Sequence, residues 1–550
     1  MDTIRMLSMG ANFNSKEFKH DIDLFKKKKD SSKNLSIVAD DIIPEEIDLL
    51  NSKNQKNVAS KDKNKLKNDD SDIGNTIKSF PNSENDLPFE DTQQVDAFRK
   101  ENKIRIWGTD TPNPFRTFKM MQNRYSFGSY LEKNMVKCGF ITPTPIQQQA
   151  VPISIDGRDL IACAPTGSGK TLSFLLPIIH HIESKSFTKD LVGLIISPTR
   201  ELANQIHNQV QLLTPKKKIS SYLLTKNPVA NAMQDPKSRK KFNILIATPL
   251  RLVYAIKNQE IDLSTISHLV LDEADRLLDE GFIEQIDDIL SACTSIKLQT
   301  SLYSATIPSM VEVLANRIMK DPVKVVIGTS NAATETIDQK LVFVGQEEGK
   351  LIEIRNMIQS GFKPPCLIFV QSIERAKELF FELVYDGINV EVMHAEKTKQ
   401  QRDRIIENFK KGKLWILIST ELMARGIDFK GVNLVINYDF PQSVASYIHR
   451  IGRTGRAGRE GKAITYFTKE DAPYLKNIVN VMRQSGCEVP EWMLQLKNPD
   501  STQKKNLKKR PIDRKSISTV SEFDKKNNQK RKNIIAQSKK INNKKLKKAD

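Results

Sequence analysis

The feature that most limits how this chain can fold is a series of short, nearly continuous apolar runs separated by longer helix-patterned stretches. The runs include Leu160–Cys163, Leu194–Ile196, Ile244–Ala247, His268–Leu271 and Ser301–Tyr303. After the polar stretch Ser330–Glu335 they resume with Leu341–Val344, Leu367–Val370, Val390–Met393, Trp415–Ile418, Leu434–Ile436 and Ala463–Phe467. A strand that is apolar at every position, not at every second one, must be covered on both faces, which is the condition of a parallel sheet flanked by helices. Two such series predict two tandem α/β domains. In open parallel sheets ligands bind beyond the carboxyl ends of the strands. The polar strings here come at those ends: APTGSGKT, SPTREL, TPLR, DEAD and SAT, then QS, STE and, in a following helix, HRIGRTGR.

A chain of 550 residues has room for both domains and for extensions. Residues 1–95 are rich in Lys, Asn, Asp and Ser and carry too little apolar surface to offset the entropy of ordering. They are expected to be a disordered polar extension, with Ile42-Ile43-Pro44 as a possible short docking piece. The first domain is assigned to 96–328, a linker to 329–336, the second domain to 337–484 and a basic disordered tail to 485–550. The net charge is +20, and residues 501–550 carry 18 Lys and Arg against 4 Asp and Glu. A basic arm on a nearly neutral body points to a polyanionic partner. The strings KKNLKKR at 504–510 and KKLKK at 544–548 suit nuclear or nucleolar import or an RNA tether, and Lys26–Lys29 is a weaker match. The five scattered cysteines form no CxxC pair, and the seven histidines have no metal-ligand spacing. No apolar run approaches the roughly 18 residues of a membrane span, and the N-terminal residues lack a secretory apolar core. Cytosol or nucleus is the expected compartment.

In APTGSGKT (164–171), Gly167 and Gly169 let backbone N–H groups curl around phosphates, with Ala164, Pro165, Thr166 and Ser168 completing the loop. Lys170 reaches the same phosphate oxygens, and Thr171 can ligate Mg²⁺. Asp272 ends a buried strand and is the expected metal carboxylate; the adjacent Glu273 can orient or deprotonate a water. Ser304-Ala305-Thr306 follows the next strand and is assigned to coupling. In HRIGRTGR (449–456), Arg450, Arg453 and Arg456 are spaced for one helical face. Arginines aimed at a γ-phosphate are worth ~10³–10⁵ in rate. The first domain supplies a lysine and two carboxylates but no such arginine, so the second domain is expected to complete its site.

With these strings in order over about 105–485, the chain resembles the DEAD-box RNA helicases, whose fold is two tandem RecA-like domains. The resemblance implies RNA-stimulated ATP hydrolysis with ATP and Mg²⁺ as cofactors, a monomeric core and no membrane. GFITPTPIQ at 139–147 is similar to the family's adenine-reading motif, so Gln147 should bond adenine and Phe118 should stack on it. Arg453 and Arg456 become the arginine fingers, and Asp428 in ARGID meets the ribose. Thr199 and Arg200 in PTREL, Thr248 and Arg251 in TPLR, Arg402 and Thr420 are implied RNA-backbone contacts. Four positions depart from the family pattern. Leu250 replaces a Gly, a GG pair near 225–230 is missing, Glu421 replaces an Asp, and Lys399 stands where a Gln is usual, beside Gln400 and Gln401. GTDTPNPFRTF (108–118), SIERAKELF (372–380) and GIDFKGVNLVINYDFP (426–441) are similar to the Rok-type nucleolar helicases. That similarity implies precursor small-subunit ribosomal RNA and ribosome-assembly proteins as partners, in the nucleolus. An RNA clamp that nucleates an assembly without separating strands is the alternative.

Overall fold

The computed structural model describes residues 86–496 except 186–189, 215–218, 226–241, 280, 329–335, 422–428, 430 and 457–458. It also describes Phe80, Ile512, 514–517 and Lys530. The extension before Phe80, Asp428, the 225–230 region beyond Thr225, and the Lys-rich strings at 504–510 and 544–548 lie outside these residues.

Two sheets form the frame. The first holds β1 (Ile104–Trp107), β2 (Leu160–Cys163), β3 (Gly193–Ile196), β4 (Ser221–Leu223), β5 (Ile244–Ala247), β6 (His268–Asp272), β7 (Gln299–Ser304) and β8 (Val323–Ile327). Their order is β1-β8-β2-β7-β6-β3-β5-β4. The second holds β9 (Ile337–Phe343), β10 (Cys366–Val370), β11 (Val390–Met393), β12 (Ile416–Thr420), β13 (Leu434–Asn437) and β14 (Gly461–Phe467). Its order is β11-β12-β10-β13-β14-β9. Pairing is parallel throughout except for β1, which runs antiparallel to β8 at the sheet's edge.

The apolar runs are continuous because both faces of each central strand are covered. Leu160, Ala162, Ile195, Ile244, Ile246 and Val270 enter one core, and Ile161, Cys163, Leu194, Ile196, Leu245, Leu269 and Leu271 enter the core on the opposite face. The second sheet repeats the alternation, with Cys366, Ile368 and Val370 in one cluster and Leu367 and Phe369 in another. Burying such a side chain is worth roughly 1.5–3 kcal/mol, so a one-residue slip of any central strand would forfeit several of these at once.

Register brings the strand ends together. Cys163 lies beside Ser304, Tyr303 beside Asp272, Leu271 beside Ile196, and Ile196 beside Ala247. The loops that follow these residues carry APTGSGKT, SAT, DEAD, PTREL and TPLR. In the second sheet Val370 is level with Thr420.

Strands β1, β4 and β8 fall outside the expected continuous runs. β1, at the sheet's edge, mixes buried with exposed positions, and β8, paired on both sides by β1 and β2, carries half-exposed Lys324 within VKVVI. The expected tail also contains placed pieces: the helix Glu491–Leu494 packs Met493 beside the helix Ala472–Gln484, and Ile517 enters a second-lobe core cluster. All five cysteines are free. No helix among the described residues is long and apolar enough to cross a membrane.

His181 and His268 meet edge to face, 4.7 Å apart, on the first lobe. Burial, with His181 close by, pushes His268 down to about 3, and burial pushes His181 down to about 4. Between the ordinary imidazole value and these, the unfolded chain binds more protons than the fold, so stability falls as pH drops from about 6.5. His268 alone should remove about 1.4 kcal/mol per pH unit over that window. Thermal melts of the wild type and of His268→Gln between pH 7 and 5 should converge as the pH falls.

Candidate functional site

The phosphate-type loop leaves β2 and closes into the helix Lys170–Ser184. Ala164 N–H donates to Ser304 O at 3.0 Å, tying this loop to the end of β7. Gly169 has φ +87°, and a β-carbon there would lie 2.3 Å from Gln147 Nε2. Only glycine fits. Gln147 is 3% exposed; its Oε1 accepts from Thr144 N–H at 3.0 Å and its Nε2 donates to Gly169 O at 3.0 Å. The residue expected to read adenine thus also braces the loop, which leaves one amide hydrogen for a ligand.

Lys170 Nζ donates to Ala164 O at 2.6 Å and Pro165 O at 3.0 Å. Burial lowers its pKa, with Asp272 the main opposing influence. Asp272 ends β6 and is 5% exposed; burial and then Glu273 push its carboxyl up to about 7. Glu273 holds φ +53°, a conformation that non-glycine residues adopt at a cost of about 1–3 kcal/mol. Its N–H donates to Asp272 Oδ1 at 3.0 Å, and its Oε2 is buried with no hydrogen-bond partner. Ser168 Oγ is buried and unpartnered as well. A lysine pushed down and a carboxyl pushed up in one buried space mean that neither meets its full counter-charge from the protein. A polyphosphate with a divalent cation supplies both. Among the described residues no group of three or more His, Cys, Asp or Glu is placed to hold a metal ion.

The second lobe reaches this loop directly. Thr166 Oγ1 donates to Gly452 O at 3.0 Å, and the aliphatic part of Arg456 lies over Gly167. A β-carbon on Gly452 would sit 2.1 Å from Thr166 Oγ1. HRIGRTGR departs from the expected single helical face. The helix Val444–Ile451 stops with Gly452 as its C-cap, and Arg453 and Arg456 lie on the turn beyond. Their Nε atoms donate back to His449 O at 3.0 Å and Gly452 O at 2.8 Å. Arg450 instead points within its own lobe, to Glu421 Oε2 at 3.0 Å and Asp439 O at 2.7 Å. The Glu that departs from the family pattern is therefore the anchor of that arginine.

A pair unmarked by the sequence reading joins the lobes. Asp275 Oδ2 accepts from Thr306 Oγ1 at 2.7 Å and from His449 Nε2 at 2.7 Å. Both His449 and Asp275 side chains are 2% exposed or less. Of the coupling triplet, Thr306 makes this link, Ser304 Oγ accepts from Thr306 N–H at 3.3 Å, and Ala305 packs in a second-lobe cluster beside Ile448.

Thr199 caps the helix Arg200–Leu213, accepting from Leu202 N–H at 3.3 Å, and Thr248 occupies the same position before Pro249–Lys257. Arg200 is exposed. Arg251 is half-buried with its guanidinium 5.0 Å from the Tyr254 ring centre and its Nε unpartnered. Leu250 beside it is 69% exposed. Thr420 ends β12, half-buried. Two placements differ from simple expectation. Phe118 is 1% exposed with Phe80 stacked 5.5 Å away, so its ring is covered by the protein. Arg402 bridges the lobes, donating to Glu201 Oε1 at 2.9 Å and to Lys397 O at 2.6 Å.

Removing the His449 imidazole takes the second-lobe hydrogen bond away from a buried carboxylate, a cost of about 1–3 kcal/mol to the closed arrangement. His449→Ala should lower ATP hydrolysis by roughly five- to a hundred-fold while nucleotide affinity and melting temperature stay near wild type. A parallel fall in melting temperature would assign the residue to folding instead.

A DEAD/DEAH box helicase model matches residues 144–314, and a helicase conserved C-terminal domain model matches 349–458. The ATP-dependent RNA helicase ROK1 of Lodderomyces elongisporus is 46% identical over 98% of each chain. The Saccharomyces cerevisiae ROK1 is 52% identical over 79% of this chain and 78% of its own. Bos taurus probable ATP-dependent RNA helicase DDX52 is 48% identical over 82% and 76%. Among solved structures, S. cerevisiae Dbp5 bound to RNA and ADP BeF3 superposes with a TM-score of 0.60 at 28% identity, covering 67% of this chain and 94% of that one. Mss116p bound to single-stranded RNA and AMP-PNP gives 0.60 at 27%, covering 70% and 82%. The chain belongs to the DEAD/DEAH box helicase family and is, by that membership, an ATP-dependent RNA helicase.

Proposed function

We propose that this helicase clamps RNA between its lobes, opens short duplexes locally, and acts on precursor small-subunit ribosomal RNA in the nucleolus with ribosome-assembly proteins. The observation that carries the mechanism is the seating of Gly452 and Arg456 against Thr166 and Gly167. It brings second-lobe arginines to a first-lobe phosphate loop.

In this reading the loop 164–171 and Lys170 hold the ATP phosphates, and Gln147 bonds adenine with its remaining N–H. Phe118 would have to shed Phe80 before it could stack. Asp272 and Thr171 would hold Mg²⁺, which supplies charge neutralisation between the phosphates. Glu273, with an unpartnered carboxylate oxygen, orients the attacking water and takes its proton. Arg453 and Arg456 stabilise charge on the transferring phosphoryl group, and Asp428 is assigned to the ribose. Thr199, Arg200, Thr248 and Arg251 stand at the N-termini of two helices that follow adjacent strands. Such termini bind phosphates through free N–H groups. With Thr420 and Arg402 they form the RNA-backbone grip, so binding should be weakly sequence-dependent and should weaken steeply with salt. The ribosomal assignment rests on the similarity to ROK1 and DDX52. Exposed Leu250, where the family pattern has Gly, keeps a second reading in play, a clamp that hydrolyses ATP without releasing a strand. Duplex release measured beside hydrolysis separates the two.

Glu273→Gln should slow hydrolysis by roughly 10²–10⁴-fold and trap an RNA-bound closed state; turnover at the wild-type rate would remove Glu273 from the mechanism. Crosslinking that variant to cellular RNA should recover precursor small-subunit RNA, and recovery of messenger RNA alone would sink the ribosomal reading. Asp272 must ionise to take a metal, and its carboxyl lies at about 7. Mg²⁺·ATP affinity should therefore drop roughly tenfold between pH 8 and 6, as read by titration calorimetry; a flat profile would show that Asp272 is already ionised.

A further inference from the structure

A short piece of the basic tail, Ile512 with Arg514–Ile517, lies across the second lobe and places one arginine in a built acidic socket. The Arg514 side chain is 1% exposed. Its Nη2 donates to Asp471 Oδ1 at 2.7 Å and its Nε to Gln371 Oε1 at 3.0 Å. Glu347 Oε2 stands 3.6 Å from Nη1 and Asp439 Oδ1 3.7 Å from Nε. The socket was already half-filled by the lobe itself. Lys350 pairs with Glu347 at 2.9 Å and Asp439 at 3.3 Å, and Arg375 pairs with Asp439 at 2.7 Å and also with Glu347. Three carboxylates face two cations until Arg514 arrives, and the third cation brings the cluster to neutrality. Burial works to raise the Asp439 carboxyl, but Arg375, Lys350 and Arg514 together bring it down to about 2.

The backbone of the strap is held as well. Gln371 Nε2 donates to Ile512 O at 3.2 Å, Arg375 Nη1 donates to Lys515 O, and Ile517 N–H donates to Glu378 Oε2 at 2.7 Å. Ile517 is 6% exposed, in the core cluster with Leu379 and Leu383. A guanidinium among carboxylates, one buried isoleucine and three backbone acceptors or donors make a sequence-specific contact. A solvated Lys-rich tail would make none of these.

Gln371 links the strap to the working edge of the lobe. It follows Val370, the last residue of β10, which is level with Thr420. Its N–H donates to Asp439 Oδ2 at 2.8 Å while both ends of its amide grip the strap. We propose that the second lobe carries a peptide site for an arginine-bearing segment, filled in cis by Ile512 and Arg514–Ile517, and that Arg514, as a positioning residue, sets the RNA-gripping edge through Gln371. The second half of this inference rests on the reading that RNA runs past Thr420; the peptide site does not.

The test uses the full chain. Arg514→Ala should raise the concentration of single-stranded uridine oligonucleotide giving half-maximal ATPase stimulation by about tenfold, with kcat at saturating RNA and KM for ATP within about twofold of wild type. Arg514→Lys should recover part of the loss, since a point charge replaces a forked one. A labelled peptide spanning Arg510–Thr519 should bind Arg514→Ala saturably and restore its RNA response. The wild type, whose tethered strap competes at high effective concentration, should not bind it. If Arg514→Ala does not fold, Ile517→Asp gives the same readings. It would bury a carboxylate in the cluster with Leu379 and Leu383, beside Glu378, and so expel the strap with the Arg514 socket intact. Peptide bound equally by wild type and variant, or by neither, overturns the site. An unchanged RNA response, or a joint fall of kcat and ATP affinity, overturns the positioning role. A wild type that RNA does not stimulate at all would overturn the RNA reading and leave the peptide result standing.

Discussion

Asp275 is the point at which the two lobes become one machine. Its Oδ2 takes a hydrogen bond from Thr306 on its own sheet and another from His449 on the other lobe, in a place where neither side chain meets water. Taking a donor away from a buried carboxylate costs more than a neutral hydrogen bond returns. The node therefore links the end of β7, the DEAD turn and the second-lobe helix, and whatever separates the lobes must break a desolvated bond. The Arg402–Glu201 pair, with side chains 12% and 14% exposed, is a second such link, from the helix Arg200–Leu213 to the second lobe. It is wetter and correspondingly weaker.

The phosphate end shows the same economy from the other side. Lys170, opening the helix after the phosphate loop, and Asp272, ending β6, have pKa values displaced toward their neutral forms by burial. The fold thus holds them in a condition that is unfavourable without a ligand and favourable with a charged one. Glu273 is held at positive φ with an unsatisfied oxygen, and Gly452 is kept free of a side chain so that Thr166 can touch its carbonyl. Strain and desolvation are concentrated where the phosphate loop meets the second lobe.

How much of this could be read from the chain depends on whether the signal is local. The central strands were legible because two-sided burial makes every residue apolar, and the motifs because they sit at fixed offsets from those strands. β1 escaped because an edge strand is covered less completely, and β8 because Lys324 interrupts its apolar run. The end of the helix at Ile451 was missed although Gly452, Thr454 and Gly455 are poor helix formers; the regular spacing of the arginines suggested a longer helix than the backbone supports. Asp275 with His449, and Arg402 with Glu201, could not be paired from sequence, since each partner is an ordinary polar residue until folding sets it opposite the other. Phe118 shows the converse, a candidate residue whose surroundings the sequence does not give. An aromatic upstream of Gln147 is a reasonable adenine platform, but nothing local says that Phe80 will cover it.

The tail illustrates why composition misleads when a single residue carries the contact. Residues 501–550 read as a uniform basic arm because Lys and Arg dominate, yet Arg514 differs from its neighbours in what waits for it. A socket with Glu347, Asp439 and Asp471 facing Lys350 and Arg375 has one carboxylate in excess, and an excess buried charge is a standing demand for a counter-ion. That demand is fixed by residues scattered from 347 to 471, far from the tail in sequence. Lysine-rich flanks cannot meet it as well, because a forked guanidinium reaches Asp471 and Gln371 at once while an ammonium is a point charge. The specificity of the tail therefore resides in the lobe it lies on, and a residue that looks like one basic charge among many becomes the one the fold requires.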